Sequence, residues 1–224
     1  SFGAVTRAAA LAHEAGVLTA MQVGNAADLD RAMQDDIDII IARGGEGGGH
    51  GRNESGRLPL LQLACAQRQK PVVAAGGIGT AAGIAAVLAA GADAAWIGTR
   101  FLSTKESSGH ENLKAAVRAS GLDDTVYTRA FDIAQQLPWA PEFGGRALAN
   151  DFSRRYAADL DTLEATEDLR QRMVRARAEA DVALAPVYAG QAVEFVQREE
   201  TCAEVLAELG GFRRILAEAA QRFA

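Results

Sequence analysis

The sequence has little of what would indicate an exported or membrane-bound protein. Its 224 residues include two cysteines, Cys65 and Cys202, which lie far apart in helix-like contexts, so we expect both to be reduced. No apolar run approaches the ~20 residues that a membrane span needs. The N-terminus has no signal-type apolar block. These absences predict a cytoplasmic protein that does not act in a membrane.

Positive charge and histidine are also scarce. Lys and Arg number 23 against 29 Asp and Glu, a net charge of −6, whereas nucleic-acid binding needs a concentrated basic surface. The three histidines, His13, His50 and His110, do not fall at a metal-ligand spacing, and there is no CxxC or HExxH motif. We therefore expect no nucleic-acid partner and no metal. A small-molecule substrate or another protein remains as the partner, and a homodimer is left open.

Four short apolar runs read as buried parallel strands, because they are continuous rather than alternating and are bounded by glycine or charge. They are Val17–Val23, Ile37–Ala42, Pro71–Ala75 and Ala92–Ile97. Helical patterns alternate with them, at Val5–Ala15, Ala26–Gln34, Leu58–Gln69 and Thr80–Ala90. The order α-β-α-β-α-β-α-β predicts an α/β fold with parallel strands, either a barrel or an open sheet.

The pattern changes after about Ser103. We predict a helix at Glu106–Ser120, an irregular stretch at Leu122–Asn150, a charged helix at Asp159–Val182, a break at Pro186–Gln191 and an amphipathic stretch at Ala192–Phe223. Residues 1–120 and 121–224 are thus predicted as an α/β part and a mainly helical extension. A closed (β/α)8 barrel needs eight strands. We therefore expect this chain to be the C-terminal part of a larger protein.

Each predicted strand ends in glycine or polar residues, and ligands of parallel α/β folds bind beyond those strand ends. Gly76-Gly77 and Gly98-Thr99 lie one β-α unit apart, at turns where backbone N–H groups can converge on an anion. Together they predict a phosphate cradle. The loop ARGGEGGGHGR, which follows the second strand, brings His50 to the same rim.

The combination of ARGGEGGGHGR with PVVAAGGIGTAAGIAAVLAAGADAAWIGTRFLSTKES resembles the nitronate monooxygenase family, also called the 2-nitropropane dioxygenase family. The resemblance implies an FMN-dependent enzyme on a TIM-type (β/α)8 barrel. This chain would then supply the C-terminal half of the barrel, about four β-α units, followed by a helical C-terminal region.

The resemblance also implies individual roles. His50 matches the family's catalytic histidine, and Gly48, next to Gly49, matches the loop glycine that approaches the flavin. Arg43 stands where the family usually has a glutamine that contacts the flavin ring; its charge would favour a reduced flavin, or its side chain points elsewhere. The remaining cofactor-binding candidates are Gln22 at the pocket rim and the phosphate segment Gly76, Gly77, Trp96, Ile97, Gly98 and Thr99.

Histidine suits the implied reaction because its ordinary pKa, near 6.5, lets it accept a proton at neutral pH. The reaction would oxidise alkyl nitronates or nitroalkanes with O2 to carbonyl compounds and nitrite, His50 deprotonating the nitroalkane or orienting the nitronate. Glu46 is predicted to hydrogen-bond the loop rather than act as acid or base. Arg100 and Glu106 are predicted to form an ion pair or to contact phosphate, and His13 and His110 to be structural or exposed.

Two other functions fit the same residues. One is a flavin-dependent enoyl-acyl-carrier-protein reductase or NAD(P)H:quinone reductase on the same barrel, for which NAD(P)H rather than O2 would be the redox partner. The other is a non-catalytic flavin-binding module of a larger synthase, with the charged C-terminal helices as its interaction surface.

Overall fold

The computed structural model describes residues 5–67 and 69–222. The strands of this part are β1 (Ala20–Val23), β2 (Ile39–Arg43), β3 (Gly49–Gly51), β4 (Val72–Ala75), β5 (Ala94–Trp96), β6 (Thr125–Thr128) and β7 (Gly144–Leu148). The α-helices are α1 (Val5–Glu14), α2 (Ala26–Gln34), α3 (Arg57–Ala66), α4 (Ala81–Ala89), α5 (Glu111–Arg118), α6 (Ala130–Gln135), α7 (Asp151–Tyr156), α8 (Glu167–Glu179), α9 (Cys202–Leu209) and α10 (Phe212–Arg222). Two residues of predicted segments, Arg68 within Leu58–Gln69 and Phe223 at the end of Ala192–Phe223, lie outside the described residues.

The described chain divides into two compact units. Unit 1 comprises the described residues up to Gly45, Arg52–Ile97, and the described residues from Leu209 onward. Unit 2 comprises Glu46–Gly51 and Gly98–Glu208. A short loop and the last helix each belong to a different unit from their neighbours in sequence.

Unit 1 contains the predicted parallel sheet. Its strand order is β1-β2-β4-β5, and every pair is parallel, which confirms the four strands expected from the apolar runs. The middle strands β2 and β4 are largely buried, whereas residues alternate between exposed and buried along the edge strand β1. Continuous apolar runs therefore mark the covered middle of the sheet.

The core of unit 1 lies between this sheet and the helices α2 and α3. Leu29 of α2, Ile40 of β2 and Leu61 of α3 have no exposed surface. Burying each such side chain contributes about 1.5–3 kcal/mol before the entropy of ordering is subtracted. The apolar helix α4 packs against the amphipathic α10, which explains why the last helix belongs to this unit.

Unit 2 contains a second sheet, with the order β3-β7-β6 and antiparallel pairing throughout. The prediction that Leu122–Asn150 is irregular is therefore wrong, since β6, α6 and β7 lie within it. Two of the three residues of β3 are glycine and β7 begins with two more, so neither shows the alternation that identifies a strand.

The C-terminal region of unit 2 is helical but broken. The predicted charged helix is α8, which is shorter than expected. The predicted final amphipathic stretch contains a short 3-10 helix, Gln191–Phe195, before α9 and α10. Within the described residues, no helix is both long and apolar enough to cross a bilayer.

Candidate active site

In unit 1, the glycine-rich loop is closed at its base by hydrogen bonds beside the carboxyl end of β2. The buried guanidinium of Arg43 donates to the backbone carbonyl of Arg52 over 3.0 Å. The backbone N–H of Gly45 donates to the carbonyl of Ser55 over 2.9 Å. Arg43 thus uses one nitrogen to hold the chain where it returns from the loop.

Arg52 is itself held in place on the same side of unit 1. Its Nε donates to Asp28 over 2.8 Å and its Nη1 to Glu54 over 3.1 Å. These carboxylates raise the pKa of Arg52 although burial opposes them. The two residues that flank the loop are therefore fixed by charge and hydrogen bonding.

The turn after β4 has the backbone conformation expected of an anion cradle. Gly76 and Gly77 have φ of +96° and +64°, a region that residues with a Cβ avoid. Helix α4 follows, with the Thr80 side chain capping it by accepting from the N–H of Gly83 over 3.0 Å. Arg57 donates to the carbonyl of Gly76. Successive glycines of positive φ before a helix N-terminus suit a bound phosphate.

Two other predicted cofactor residues of unit 1 lie on its edge strands. Gln22 is exposed on β1 and lines a groove of about 460 Å³ together with residues of α1. Trp96 is 60% exposed on β5, and the neighbouring Ile97 packs against the core. Both edge strands therefore carry solvent-exposed side chains.

In unit 2, Gly98 differs from most glycines in having no structural reason to be glycine. Its φ is −113°, which any residue can adopt, and a Cβ built there would meet no heavy atom of the described residues within 4 Å. The adjacent Thr99 accepts a hydrogen bond from the N–H of Gly190 over 2.9 Å. A hydroxyl that accepts in this way can still donate its own proton. The space beside Gly98 is of the kind that a ligand would fill.

The loop Glu46–Gly51 is anchored to the segment around Gly190 within unit 2. The N–H of Gln191 donates to the carbonyl of Glu46 over 2.9 Å. A Cβ at Gly48 would lie 2.5 Å from the nitrogen of Gly190. The protein backbone alone therefore requires glycine at 48, while Gly49 needs it for its φ of +74°.

His50 lies in β3 opposite Gly145 of β7, and its ring is bounded on several sides. Trp139 stacks on it with ring centroids 4.0 Å apart and planes 2° from parallel. Tyr188 is tilted against it at 5.1 Å. Asp132 Oδ1 lies 2.7 Å from His50 Nε2, and the side chains of His50 and Asp132 are 15% and 3% exposed. The histidine is thus fixed in an aromatic and acidic setting.

The pKa of Tyr188 is shifted by its buried position near Asp132. Burial, together with the negative charge of Asp132, raises the pKa of its phenol to about 12, although Arg177 and a hydrogen bond with Gln135 oppose the rise. Arg177 is placed by donating from Nη1 to Gln135 over 2.7 Å. The Tyr188 hydroxyl therefore stays protonated at neutral pH.

Sequence reasoning identified His50 but missed its partners Asp132, Trp139 and Tyr188. Asp132 and Trp139 lie in the segment predicted to be irregular, and no motif marks them. A tryptophan between two prolines, in the run LPWAPEF, was the one unusual signal that could have been followed.

The remaining candidates have structural contacts. Arg100 is 4% exposed and pairs with Glu200 and Glu208 over 2.6 and 2.8 Å, and Glu106 accepts from the N–H of Cys202. Arg100 thus forms ion pairs, as one of the two expectations had it, but its partners are Glu200 and Glu208 rather than Glu106.

The two other histidines also serve local structure. His13 bonds Asp38 and Asp36, of which the hydrogen bond to Asp38 contributes most to raising the pKa of His13. His110 caps α5 by accepting from the N–H of Asn112. In the part of the chain that the structure describes, no group of three or more His, Cys, Asp or Glu side chains could hold a metal ion.

Comparison with known proteins places these features in a family. The family model described as nitronate monooxygenase matches residues 2–210. The chain is 40% identical over 118 residues to the (3aS,4S,5R,7aS)-5-hydroxy-7a-methyl-1-oxo-octahydro-1H-indene-4-carboxyl-CoA dehydrogenase of Rhodococcus jostii, a match that covers 53% of this chain and 33% of that protein. It therefore spans much less than the full length of that relative.

Two solved structures match over nearly the whole chain. FabK from Thermotoga maritima superposes with a TM-score of 0.84 at 25% identity, covering 100% of this chain and 69% of that one. The nitroalkane oxidase from Streptomyces ansochromogenes superposes with a TM-score of 0.78 at 31% identity, covering 98% and 63%. With the family match over residues 2–210, these findings establish that the chain belongs to the nitronate monooxygenase family.

Proposed function

We propose that this chain is the C-terminal half of a (β/α)8-barrel enzyme that uses FMN to oxidise alkyl nitronates or nitroalkanes with O2, giving carbonyl compounds and nitrite. Four parallel strands are half of the eight in such a barrel. The chain also spans 63% and 69% of the two structures that it superposes on. Family membership supports a flavin-dependent oxidoreductase.

The residues present fit a flavin phosphate within each unit taken separately. In unit 1, the Gly76-Gly77 turn offers main-chain N–H groups at positive φ ahead of α4. In unit 2, there is open space beside Gly98, although neither its backbone conformation nor its contacts with the described residues require a glycine. We assign these residues and Thr99 to the phosphate of FMN, and Gln22, Arg43, Gly48, Gly49, Trp96 and Ile97 to the same cofactor by their match to the family pattern. When bound, FMN would accept the electrons that leave the substrate.

The observation that carries the catalytic assignment is the setting of His50. A histidine at the end of a glycine loop could simply be a surface residue, but this ring is stacked on Trp139 and bonded to Asp132. Both contacts restrict where its nitrogens point, which a general base requires. His50 would take the proton from the carbon that bears the nitro group, or orient the oxygens of a nitronate.

A second candidate keeps the flavin but changes the substrate. One relative is a dehydrogenase of a carboxyl-CoA thioester, an observation that favours thioester chemistry. The corresponding alternative is a flavin-dependent enoyl-acyl-carrier-protein reductase, with NAD(P)H in place of O2 as redox partner.

The two candidates differ in what reduces the flavin. We expect the purified full-length protein to be yellow and to release FMN on denaturation, as identified by chromatography. Added propionate 3-nitronate should consume O2 and release nitrite. Background O2 uptake with nitronate, together with bleaching of the flavin by NADPH and turnover of an enoyl thioester, would establish the second candidate instead.

A histidine substitution tests the catalytic assignment. His50→Ala should retain the flavin and lose turnover of 3-nitropropionate, whose nitro-bearing carbon still holds its proton, by about 10²-fold or more, the usual contribution of a general base. The matched control is His110→Ala, which removes a histidine from the exposed cap of α5 and should leave turnover unchanged. Equal rates in all three proteins would remove His50 from the mechanism.

A further inference from the structure

The hydrogen bond between His50 and Asp132 fixes which ring nitrogen carries a proton. A carboxylate oxygen can only accept, so at 2.7 Å from Asp132 Oδ1 the Nε2 of His50 must donate. The neutral ring is then the tautomer protonated at Nε2, and Nδ1 is its acceptor nitrogen. The bond therefore determines which nitrogen can take a further proton.

The Asp132 carboxylate is buried although only one of its two oxygens is hydrogen-bonded among the described residues. The residue is 2% exposed, and its second oxygen, Oδ2, has no hydrogen-bond partner among the described residues. Burying a carboxylate is costly unless it is paired and hydrogen-bonded. The only side-chain bond assigned to this carboxylate within the described chain is the one to His50.

The aromatic neighbours leave the imidazole little freedom to turn. Trp139 covers one face of the ring in a nearly parallel stack, and the Tyr188 ring contacts it at an angle of 52°. Rotating the ring to exchange its two nitrogens would break the bond to Asp132 and disturb this stack. The ring can therefore react only through an edge, not through the face that Trp139 covers.

We propose that Asp132 is a positioning residue for His50: it holds the imidazole in the tautomer protonated at Nε2 and balances the positive charge that the ring gains when Nδ1 accepts the substrate's proton. The proposal rests on the proposed function. In the step concerned, the C–H bond beside the nitro group breaks and its electron pair stays on the nitronate. The proton moves to Nδ1, and Asp132 remains an acceptor throughout.

A prediction about substrates follows directly. A neutral nitroalkane must lose a proton before it is oxidised, whereas a preformed nitronate has already lost it. Asp132→Asn should therefore lower kcat/KM for 3-nitropropionate by about tenfold to 10²-fold, in line with weakened general-base catalysis. It should change kcat/KM for propionate 3-nitronate by less than about threefold, because His50 is not needed as a base there.

The control for a general structural effect is Asp124→Asn. Asp124 is an exposed aspartate of the same unit, which accepts from the N–H of Gly121 over 2.8 Å. It should leave both substrates unaffected. A loss for both substrates in Asp132→Asn, of equal size, would show that Asp132 only maintains the structure and would overturn the proposal.

A second measurement does not depend on turnover. NMR of the wild-type protein with 15N-labelled histidine, assigned with His50→Ala, should show His50 in a single neutral tautomer protonated at Nε2. Asp132→Asn should mix it with the Nδ1-protonated form, since an amide can also donate. A wild-type His50 protonated at Nδ1 would overturn the proposal even if the protein is active. A protein that oxidises neither substrate but shows the expected tautomer would refute the proposed function. The role of Asp132 in holding that tautomer would stand.

Discussion

Gly98 provides a test that separates cofactor binding from stability. Its φ of −113° suits alanine, and a Cβ built at this position would lie more than 4 Å from every heavy atom of the described residues outside its chain neighbours. Gly98→Ala should therefore not destabilise the flavin-free protein, and the reduced freedom of the unfolded chain should stabilise it by about 0.4–1 kcal/mol. If the open space holds part of FMN, the added methyl group overpacks it at a cost of about 1–3 kcal/mol. That cost corresponds to a Kd for FMN raised about 5- to 150-fold.

Both quantities are measured on the flavin-free protein. Urea unfolding gives its free energy of unfolding, and quenching of flavin fluorescence on titration gives the Kd. Gly109→Ala serves as the matched control, because Gly109 also lies in unit 2 and a Cβ there would make only an ordinary contact with Ser107 at 3.5 Å. If Gly98→Ala binds FMN as tightly as the wild type, the space beside Gly98 is not part of the flavin site.

Two further predictions concern the surroundings of His50. Gly48→Ala should destabilise the protein by about 1–3 kcal/mol in urea unfolding, because its Cβ would lie 2.5 Å from the backbone nitrogen of Gly190; a loss below that of Gly109→Ala would contradict the close approach. Tyr188 has a pKa of about 12 in the folded protein, above the value near 10 expected when unfolded. Its contribution to stability is thus complete below pH 10 and is lost as the pH rises from about 10 to 12. Unfolding measured across that range should show a smaller loss in Tyr188→Phe, and equal slopes would argue against the raised pKa.

The sequence predicted secondary structure best where a strand or helix requires a particular pattern of apolar residues. The apolar runs predicted as the second and third strands became β2 and β4, the buried middle strands of the parallel sheet. The helix predicted at Thr80–Ala90 is likewise confirmed, as α4 with Thr80 at its N-cap. Such elements are predictable because burial on both faces imposes one simple composition.

The antiparallel sheet could not be predicted by that means. Its central strand β7 pairs with β3 on one side, almost a hundred positions earlier in the chain, and with β6 on the other. Glycines occupy β3 and the start of β7, so the side-chain pattern is nearly absent, and the strands exist because of their partners rather than their own propensity. The division into two compact units likewise depends on contacts between residues that are distant in sequence.

The same reasoning explains why His50 was singled out from the sequence and the residues around it were not. His50 ends a run of glycines and belongs to a recognisable loop, so the sequence itself marked it. Asp132 lies 82 residues away in the first turn of a six-residue helix, where an aspartate is ordinary. Only the folded chain shows that this aspartate is buried and that its oxygen lies 2.7 Å from the histidine. A glycine loop can point to a candidate catalytic residue, but the residue proposed to position it is specified by the tertiary fold. That is why the Asp132 variants test the structure more directly than substitutions in the loop do.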